Sequence, residues 1–506
     1  MRADSSEDQN LAALVDAVCE RHASRPALFF DDHALSYAEL AGLVAGWTAR
    51  LHKMGIGRGD CVALWLPNCP AFVVIFLASL RVGAIAAPLG ALLTAREVAP
   101  RLAVARADAL VTTSTLASQL TAVSAPVLTV DPRTPALGVT GTRPALARAA
   151  DDLAVLISTS GTTGTAKAAE LTHGGITWNA SALADGFSMG PRDVQLAVAP
   201  LSHVLGMTGV MSASLLRGGA LALMDRFDAA AALRLMRDVG VTGIFGAPSM
   251  FLALVREARQ SATSHTLRFA MTGGAATAPA LTSAFEQTFG CSLRDGYGMS
   301  EVGGGVTLAP PGTVAKPRSV GPAFPGSELR AVDLTTGAPL PACARGEIAV
   351  RSPSVMRGYR GDEQATRAVL DRDGWLLSGD VGYLDEDGYL FLVDRKKELI
   401  IRSGYNVYPR EVEDVLLAHP GVREAAVVGL PHDQHGEEVV ALVVPAYEPL
   451  DVEVLKSFAR ERLAAYKYPR HIFLVGELVK GPTGKVVKRA IDMAQLVSLC
   501  ARDERR

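Results

Sequence analysis

Between Cys61 and Leu80 the chain runs for twenty residues without a single charge. That length reaches the ~20 apolar residues needed to cross a bilayer, so this stretch decides what kind of protein the chain can become. Pro67, Asn68 and Pro70 divide it. Proline removes a backbone donor and steers the residue before it away from helical dihedrals. The run therefore reads as a buried strand (Cys61–Leu66), a turn and a buried helix (Ala71–Leu80), and not as a membrane span. A strand and helix that are apolar throughout must be covered on every side, which requires a layered α/β protein with a large core.

The remainder of the first 320 residues keeps the same rhythm. Helical spacing over 11–23 leads into a hairpin, Pro26–Phe30 with Ala34–Tyr37, and then an amphipathic helix to Met54. Strand and helix candidates then alternate: Val62–Leu66, Ala71–Val82, Ile85–Pro88, Ala95–Ala105 and Ala109–Thr112. They resume with Gln195–Ala199, a helix over Met207–Arg217, Ala220–Met224, Ala229–Val239 and Gly243–Ala247. This predicts doubly wound, largely parallel sheets. From Val320 short alternating runs with Asp-Gly turns predict an antiparallel β region. The charged joint Asp394-Arg395-Lys396-Lys397-Glu398 separates it from about 110 residues of mixed helix and strand, enough for a small domain. At 506 residues the chain exceeds one core, and 49% hydrophobic with 20% charged residues excludes a largely disordered protein. A net charge of −2 and no basic stripe give no reason to expect a nucleic-acid partner. Six scattered cysteines with no C-x-x-C pair argue against a disulfide framework or a zinc site and fit a reducing cytoplasm. The polar, acidic N-terminus does not read as a secretory signal.

Chemistry concentrates in a few short stretches. Ser158-Thr159-Ser160-Gly161-Thr162-Thr163-Gly164-Thr165-Ala166-Lys167 follows the apolar run Leu153–Ile157. Glycines turn backbone N–H groups inward, hydroxyls add donors and the lysine supplies a point charge for a polyphosphate. A flexible linker uses similar residues, and the spacing is not that of the common P-loop. Further along, His203 in Leu201–Met207 sits near a helix start, where it borders a carboxylate or is simply packed. Gly273-Gly274-Ala275 suits a flat ligand or an ordinary turn. Asp295-Gly296-Tyr297-Gly298-Met299-Ser300-Glu301 offers an aromatic face, close approach, a hydroxyl and a carboxylate able to hold Mg²⁺. Asp380, in Ser378-Gly379-Asp380, suits a ribose diol, and Lys485 sits in a tight Gly-Pro-Thr-Gly-Lys turn.

Together, TSGTTGTAK, PLSHVLG, TGGA, DGYGMSE, SGD, DRKKELIIRSGYN and PTGK resemble the motifs of the acyl-adenylate-forming (ANL) superfamily, in that family's order, from about residue 10 to 490. The likeness is greatest to bacterial fatty-acid and 4-coumarate type CoA ligases. The resemblance implies an α/β fold: a large N-terminal domain (1–394, two doubly wound sheets plus a small β-barrel-like region), a hinge (395–397) and a mobile smaller α/β C-terminal domain (398–506). It implies that Ser160, Gly161, Thr162, Thr163, Gly164 and Lys167 hold the β- and γ-phosphates of ATP. His203 would flank the acid, and Gly273, Gly274, Ala275, Asp295, Gly296 and Tyr297 would hold adenine. Ser300, where most relatives carry Thr, would contact the α-phosphate, and Glu301 would ligate Mg²⁺. Asp380 and Arg395 would bind ribose, and Lys397 would lie near the hinge. Lys485 would serve acyl-adenylate formation, and Gly404 would line the thiol tunnel. Ala166 and Ala168 depart from the family's Pro and Gly, which alters loop stiffness rather than removing a ligand.

The implied activity is AMP-forming activation of a carboxylic acid followed by transfer to CoA. Other readings are an acyl-AMP ligase loading the phosphopantetheine arm of a carrier protein, an aryl-acid–CoA ligase, a luciferase-like oxygenase and a non-catalytic binder. The last conflicts with the joint presence of Lys167, Glu301, Asp380 and Lys485. No Asp near His203 is placed to pair an ammonium, and Gly296 stands where malonate-activating relatives carry Arg, so amino acids and dicarboxylates are disfavoured. Gly303-Gly304-Gly305 suggests an open apolar tunnel, hence a medium- or long-chain fatty acid. The expected protein is a cytoplasmic monomer or homodimer without integral membrane association.

Overall fold

A computed structural model of the chain describes residues 10–120, 123–133, 145–160, 166–260, 265–275, 277–432, 434–447, 449–480 and 486–503. Its contacts divide it into two compact units, residues 1–329 with 350–376, and residues 330–349 with 377–506.

The uncharged run resolves in the first unit as the strand Cys61–Trp65 and the helix Pro70–Arg81, whose residues Pro70–Leu80 are all buried. Pro70 occupies the first helical turn, where the missing N–H would have had no partner in any case. Among the described residues no helix is long and apolar enough to cross a membrane. The strand sits inside a six-stranded sheet ordered Val127–Thr129, Ala109–Thr112, Cys61–Trp65, Ile85–Leu89, Leu153–Ser160 and Ala166–Thr172. Its pairs are parallel except the last, which is antiparallel. A second, eight-stranded sheet runs Gly304–Leu308, Leu293–Met299, Phe269–Gly273, Gly243–Gly246, Val194–Ala197, Ala220–Leu223, Pro26–Phe30 and His33–Ser36. It too is parallel inside and antiparallel at both ends. Buried polar groups fasten the layers. The Asn10 amide donates to the carbonyls of Leu80 and Leu146 at 2.9 and 2.8 Å, and the Leu11 N–H donates to His173 Nδ1 at 3.2 Å.

The expected helix over Met207–Arg217 is instead a wide π-helix, Leu205–Ser212, followed by one turn, Ala213–Leu216. Gly206 packs its Cα against Pro200, so that a Cβ would collide with the Pro200 carbonyl oxygen. The Ser212 hydroxyl donates five residues back to the Met207 carbonyl at 2.8 Å, which suits the wider turn.

A four-stranded sheet, Glu328–Val332, Gly346–Arg351, Leu376–Leu384 and Leu390–Arg395, lies for the most part in the second unit. It is open at both ends, so the β-barrel-like region expected from the resemblance is corrected to an open sheet. Four strands are too few to wrap around a filled interior. The second unit also holds a five-stranded sheet of Tyr405–Val407, Ile400–Arg402, Gly436–Pro445, Val422–His432 and His471–Leu474. Alternation along Val422–His432 covers both of its faces. Val427 joins a cluster with Val412, Leu416 and Leu455, whereas Ala426, Val428 and Leu430 join Leu478 and Leu496.

Candidate functional site

The hydroxyl–glycine stretch begins and ends on two paired antiparallel strands. Ser160 pairs with Ala166 and Thr159 with Lys167, so the strand leaving the core returns at once beside itself. Gly161, Thr162, Thr163 and Gly164 lie outside the described residues, as does Lys485. Lys167 is half-buried on the return strand, with its ammonium 4.9 Å from the centroid of the Tyr359 ring. Among the described residues it has no carboxylate partner. A half-buried ammonium facing only an aromatic ring is an under-neutralised cation, suited to an anionic ligand.

Glu301 follows from the adjacent strand. Leu293–Met299 carries Asp295, Gly296 and Tyr297, and its last residues turn through Ser300–Val302 into Gly303, at φ +65°. Glu301 is half-buried, and among the described residues its carboxylate receives one hydrogen bond, from the Tyr359 hydroxyl at 2.9 Å. Burial first, and then the Glu301 charge and hydrogen bond, push the Tyr359 phenol well above its ordinary value, so it stays a donor. A half-buried carboxylate without a counter-cation among the described residues, next in sequence to Ser300, is hard-oxygen chemistry, which fits a dication such as Mg²⁺.

The glycine-rich strands around it are dictated by close approach. Gly273 pairs with Gly296 and Gly298 with Gly305. A Cβ on Gly296 would stand 2.9 Å from Met271 Sδ, and one on Gly298 would collide with the Gly304 carbonyl oxygen. Gly274, at φ +78°, turns the chain out of the sheet beside Ala275. Tyr297 is buried, with its N–H donating to Thr307 Oγ1 at 3.2 Å, and Asp295 accepts from the Thr277 hydroxyl at 2.5 Å.

Two of the three glycines in Gly303-Gly304-Gly305 meet close neighbours. A Cβ on Gly304 would run into Asn179 Oδ1, and one on Gly305 would stand 2.8 Å from Phe324 Cζ. Asn179 is fully buried; its amide donates to the Gly305 carbonyl at 2.7 Å and accepts from the Gly305 N–H at 3.0 Å. Gly304 and Gly305 thus make room for an amide and a ring, and by themselves they are no sign of a tunnel. His203 is exposed ahead of the π-helix, with Nδ1 accepting from the Leu205 N–H at 3.4 Å.

Within the second unit, Asp380 and Arg395 are cross-strand partners, with Arg395 Nε 3.4 Å from Asp380 Oδ1. Gly379, at φ +72°, donates its N–H to the buried Glu347 carboxylate at 3.0 Å, and Lys396 pairs with the same carboxylate at 2.7 Å. Glu347 thus fixes the turn before Asp380 and the residue before Lys397. Gly404 forms, with Ser403, the left-handed two-residue turn between Ile400–Arg402 and Tyr405–Val407. Lys488 is held at 3.2 Å from Glu398 and 2.7 Å from Glu413. Burial pulls its pKa down, but Glu413, Glu398 and Asp394 outweigh that and raise it overall. His432, His435 and Glu438 bring ligand-capable atoms within 4.8 Å of one another. The two Glu438 oxygens are nevertheless taken by Arg402 at 3.0 and 3.1 Å, and Arg470 stands 3.8 Å away. A dication there would face two guanidinium groups, which the cluster cannot offset.

Sequence reasoning missed Tyr359, Glu347 and Asn179. Tyr359 follows Gly358 in an exposed-looking run, and nothing in that run places its hydroxyl on a residue 58 positions earlier.

The AMP-binding enzyme family model matches residues 15–360 and the AMP-binding enzyme C-terminal domain matches 411–485. A feruloyl-CoA synthase from Amycolatopsis sp is 37% identical over 90% of this chain and 93% of its own length. A long-chain-fatty-acid–CoA ligase from Bacillus subtilis (strain 168) is 31% identical over 96% of this chain and 94% of its own. Among solved structures, ATP-bound MatB from Rhodopseudomonas palustris superposes with a TM-score of 0.90 at 30% identity, covering 96% of this chain and 98% of that one.

Proposed function

The chain belongs to the AMP-binding enzyme family and is an AMP-forming acid–thiol ligase, and from that premise we propose that it activates a planar aryl acid of the hydroxycinnamate kind and transfers it to CoA. The observation that carries the nucleotide-dependent part of the reading is Lys167, a cation without a carboxylate partner among the described residues, on the strand that follows the hydroxyl–glycine stretch.

A carboxylate does not acylate a thiol directly, because oxide is a poor leaving group. Attack of the acid on the α-phosphorus of ATP expels pyrophosphate and gives an acyl-adenylate, from which a thiolate then displaces AMP. Lys167 and the hairpin hydroxyls hold the β- and γ-phosphates, and Ser300 donates to the α-phosphate. Tyr297, with the glycine strands that flank it, receives adenine, and Asp380 accepts from the ribose hydroxyls with Arg395 beside it. His203 orients the acid. Lys485 neutralises charge that builds on the phosphate oxygens as the α-phosphorus becomes five-coordinate. Glu301 would hold Mg²⁺, which supplies charge neutralisation at the phosphates when bound. Residues 395–397 act as the hinge about which 398–506 moves between the two half-reactions, exchanging Lys485 for Gly404 at the reacting carbonyl.

Three points support an aryl acid. Residues 204–216, next in sequence to His203, carry no charge, which fits an acid with an uncharged body. The volume beside Gly304 and Gly305 is taken by Asn179 and Phe324, which removes the reason for a long tunnel. Relatives at 37% identity bear the name feruloyl-CoA synthase. The uncharged segment also suits a fatty acid, which is the competing reading. Pyrophosphate release over a panel of hydroxycinnamic, benzoic and C8–C16 fatty acids decides between them, followed by product analysis with CoA and with a carrier protein as acceptor. Turnover greatest with hydroxycinnamates and an acyl-CoA product are expected; a preference for C12–C16 acids or for the carrier arm overturns the respective part.

A further inference from the structure

Lys167 and Glu301 carry opposite charges on neighbouring elements, and both touch one side chain. The Lys167 ammonium sits 4.9 Å from the Tyr359 ring centroid, and the Tyr359 hydroxyl donates to Glu301 Oε1 at 2.9 Å. Yet the two charges make no ion pair with each other. For two half-buried opposite charges this is unusual, since direct pairing is the ordinary outcome.

The segment bearing Tyr359 is pinned from both sides. Met356 N–H donates to the Glu301 carbonyl at 2.7 Å and Arg357 N–H to the Glu170 carbonyl at 2.9 Å. Glu170 N–H donates to the Gly358 carbonyl at 2.9 Å and Arg360 N–H to the Ala168 carbonyl at 2.8 Å. Tyr359 N–H itself donates to the Thr366 hydroxyl at 2.9 Å. Residues 356–360 therefore extend the edge of the strand that carries Lys167 and also grip the turn that carries Glu301. This ladder fixes the backbone at Tyr359, and the hydroxyl's bond to Glu301 holds the ring in place from that fixed point.

We propose that Tyr359 is a positioning residue that keeps Lys167 and Glu301 from neutralising each other, and so leaves the cation available to a polyphosphate and the carboxylate available to a divalent metal. Its face takes the ammonium, its hydroxyl takes one carboxylate oxygen, and its width separates them. Without the ring the two charges collapse into a salt bridge that any nucleotide must first break. This rests on the ligase reading above.

The test uses the full chain and direct binding rather than turnover. Tyr359→Phe keeps the ring and removes the hydroxyl; Tyr359→Leu removes both. ATP affinity in EDTA is measured by calorimetry, and retention of Mn²⁺ in the presence of ATP by electron paramagnetic resonance. Y359F is expected to weaken Mn²⁺ retention about tenfold, the order of one hydrogen bond to a charged group, while leaving metal-free ATP affinity within about twofold. Y359L is expected to weaken metal-free ATP binding as well, and adding Glu301→Gln to Y359L is expected to restore it, because the competing carboxylate is gone. A merely structural tyrosine predicts no such rescue. Unchanged Mn²⁺ retention in Y359F, or failure of E301Q to rescue Y359L, overturns the proposal. Absence of ATP binding by the unsubstituted chain overturns the ligase reading along with it.

Discussion

A methyl group at position 298 would collide with the Gly304 carbonyl oxygen, on the strand paired to the one that carries Tyr297. Gly298→Ala is expected to destabilise the chain by at least about 2 kcal/mol, the size of overpacking with backbone displacement, and to lower ATP affinity, as read by thermal melting and calorimetry. The cysteines report on the core in another way. Burial pushes Cys19, Cys61 and Cys69 up to about 12 and Cys291 to about 11. Between the ordinary thiol value of about 8.5 and those values, the unfolded chain releases protons that the folded chain keeps. The folded state then binds more protons, so stability falls as pH rises through that window. Alkaline denaturation should begin there. Native labelling by a thiol reagent at pH 8 should reach the exposed Cys343 and spare these four until denaturant is added; rapid modification of Cys61 or Cys69 would contradict the packing described. At this scale the sequence displayed residue types but not partners. Lys167 and Glu301 stood out by their motifs, whereas Tyr359 and Asn179 matter through contacts 58 and 126 positions away along the chain. Gly303–Gly305 misled because a missing side chain looks the same in sequence whether it leaves space or admits a neighbour.

Regular periodicity made most elements legible. The uncharged run gave its strand and helix to within a residue or two, since Pro67 and Pro70 punctuate it without ambiguity. The return strand Ala166–Thr172 was not legible: its residues, AKAAELT, favour a helix by propensity, and only pairing with Leu153–Ser160 makes them extended. The π-helix escaped for a related reason. Its apolar spacing is that of a helix, and the width of the turn is set by Gly206 against Pro200 and by the Ser212 hydroxyl on the Met207 carbonyl. Gly206→Ala should therefore force the segment away from Pro200. A loss of about 2 kcal/mol or more is expected. Because His203 lies directly ahead of this helix, KM for the acid should rise while KM for ATP changes little. Equal changes in both would detach the π-helix from the acid.

At the scale of the molecule, the division into 1–394 and 398–506 expected from the resemblance meets a chain whose second compact unit reaches back to include 330–349 and 377–397. Among the described residues, the buried members of the two hydrophobic clusters of the five-stranded sheet run from Ile400 to Leu496, with none from before residue 400. That sheet also shares no strand with the four-stranded one. Two contacts that join them involve charged groups: Asp394 accepts from the Arg410 N–H at 2.8 Å at the start of the helix Pro409–Leu417, and the Arg345 guanidinium lies 5.7 Å from the centroid of the Tyr408 ring. Apolar burial dominates folding, whereas one hydrogen bond and one cation–π contact contribute only about 1 kcal/mol each. A fragment of residues 398–506 is accordingly expected to fold by itself, with cooperative urea unfolding and slow amide exchange in Val422–His432 and Gly436–Pro445. A fragment of 330–506 should gain little in stability for those same amides. If 398–506 is unfolded while 330–506 is folded, the four-stranded sheet is part of the same cooperative unit, and residues 395–397 cannot serve as the joint about which the C-terminal domain turns.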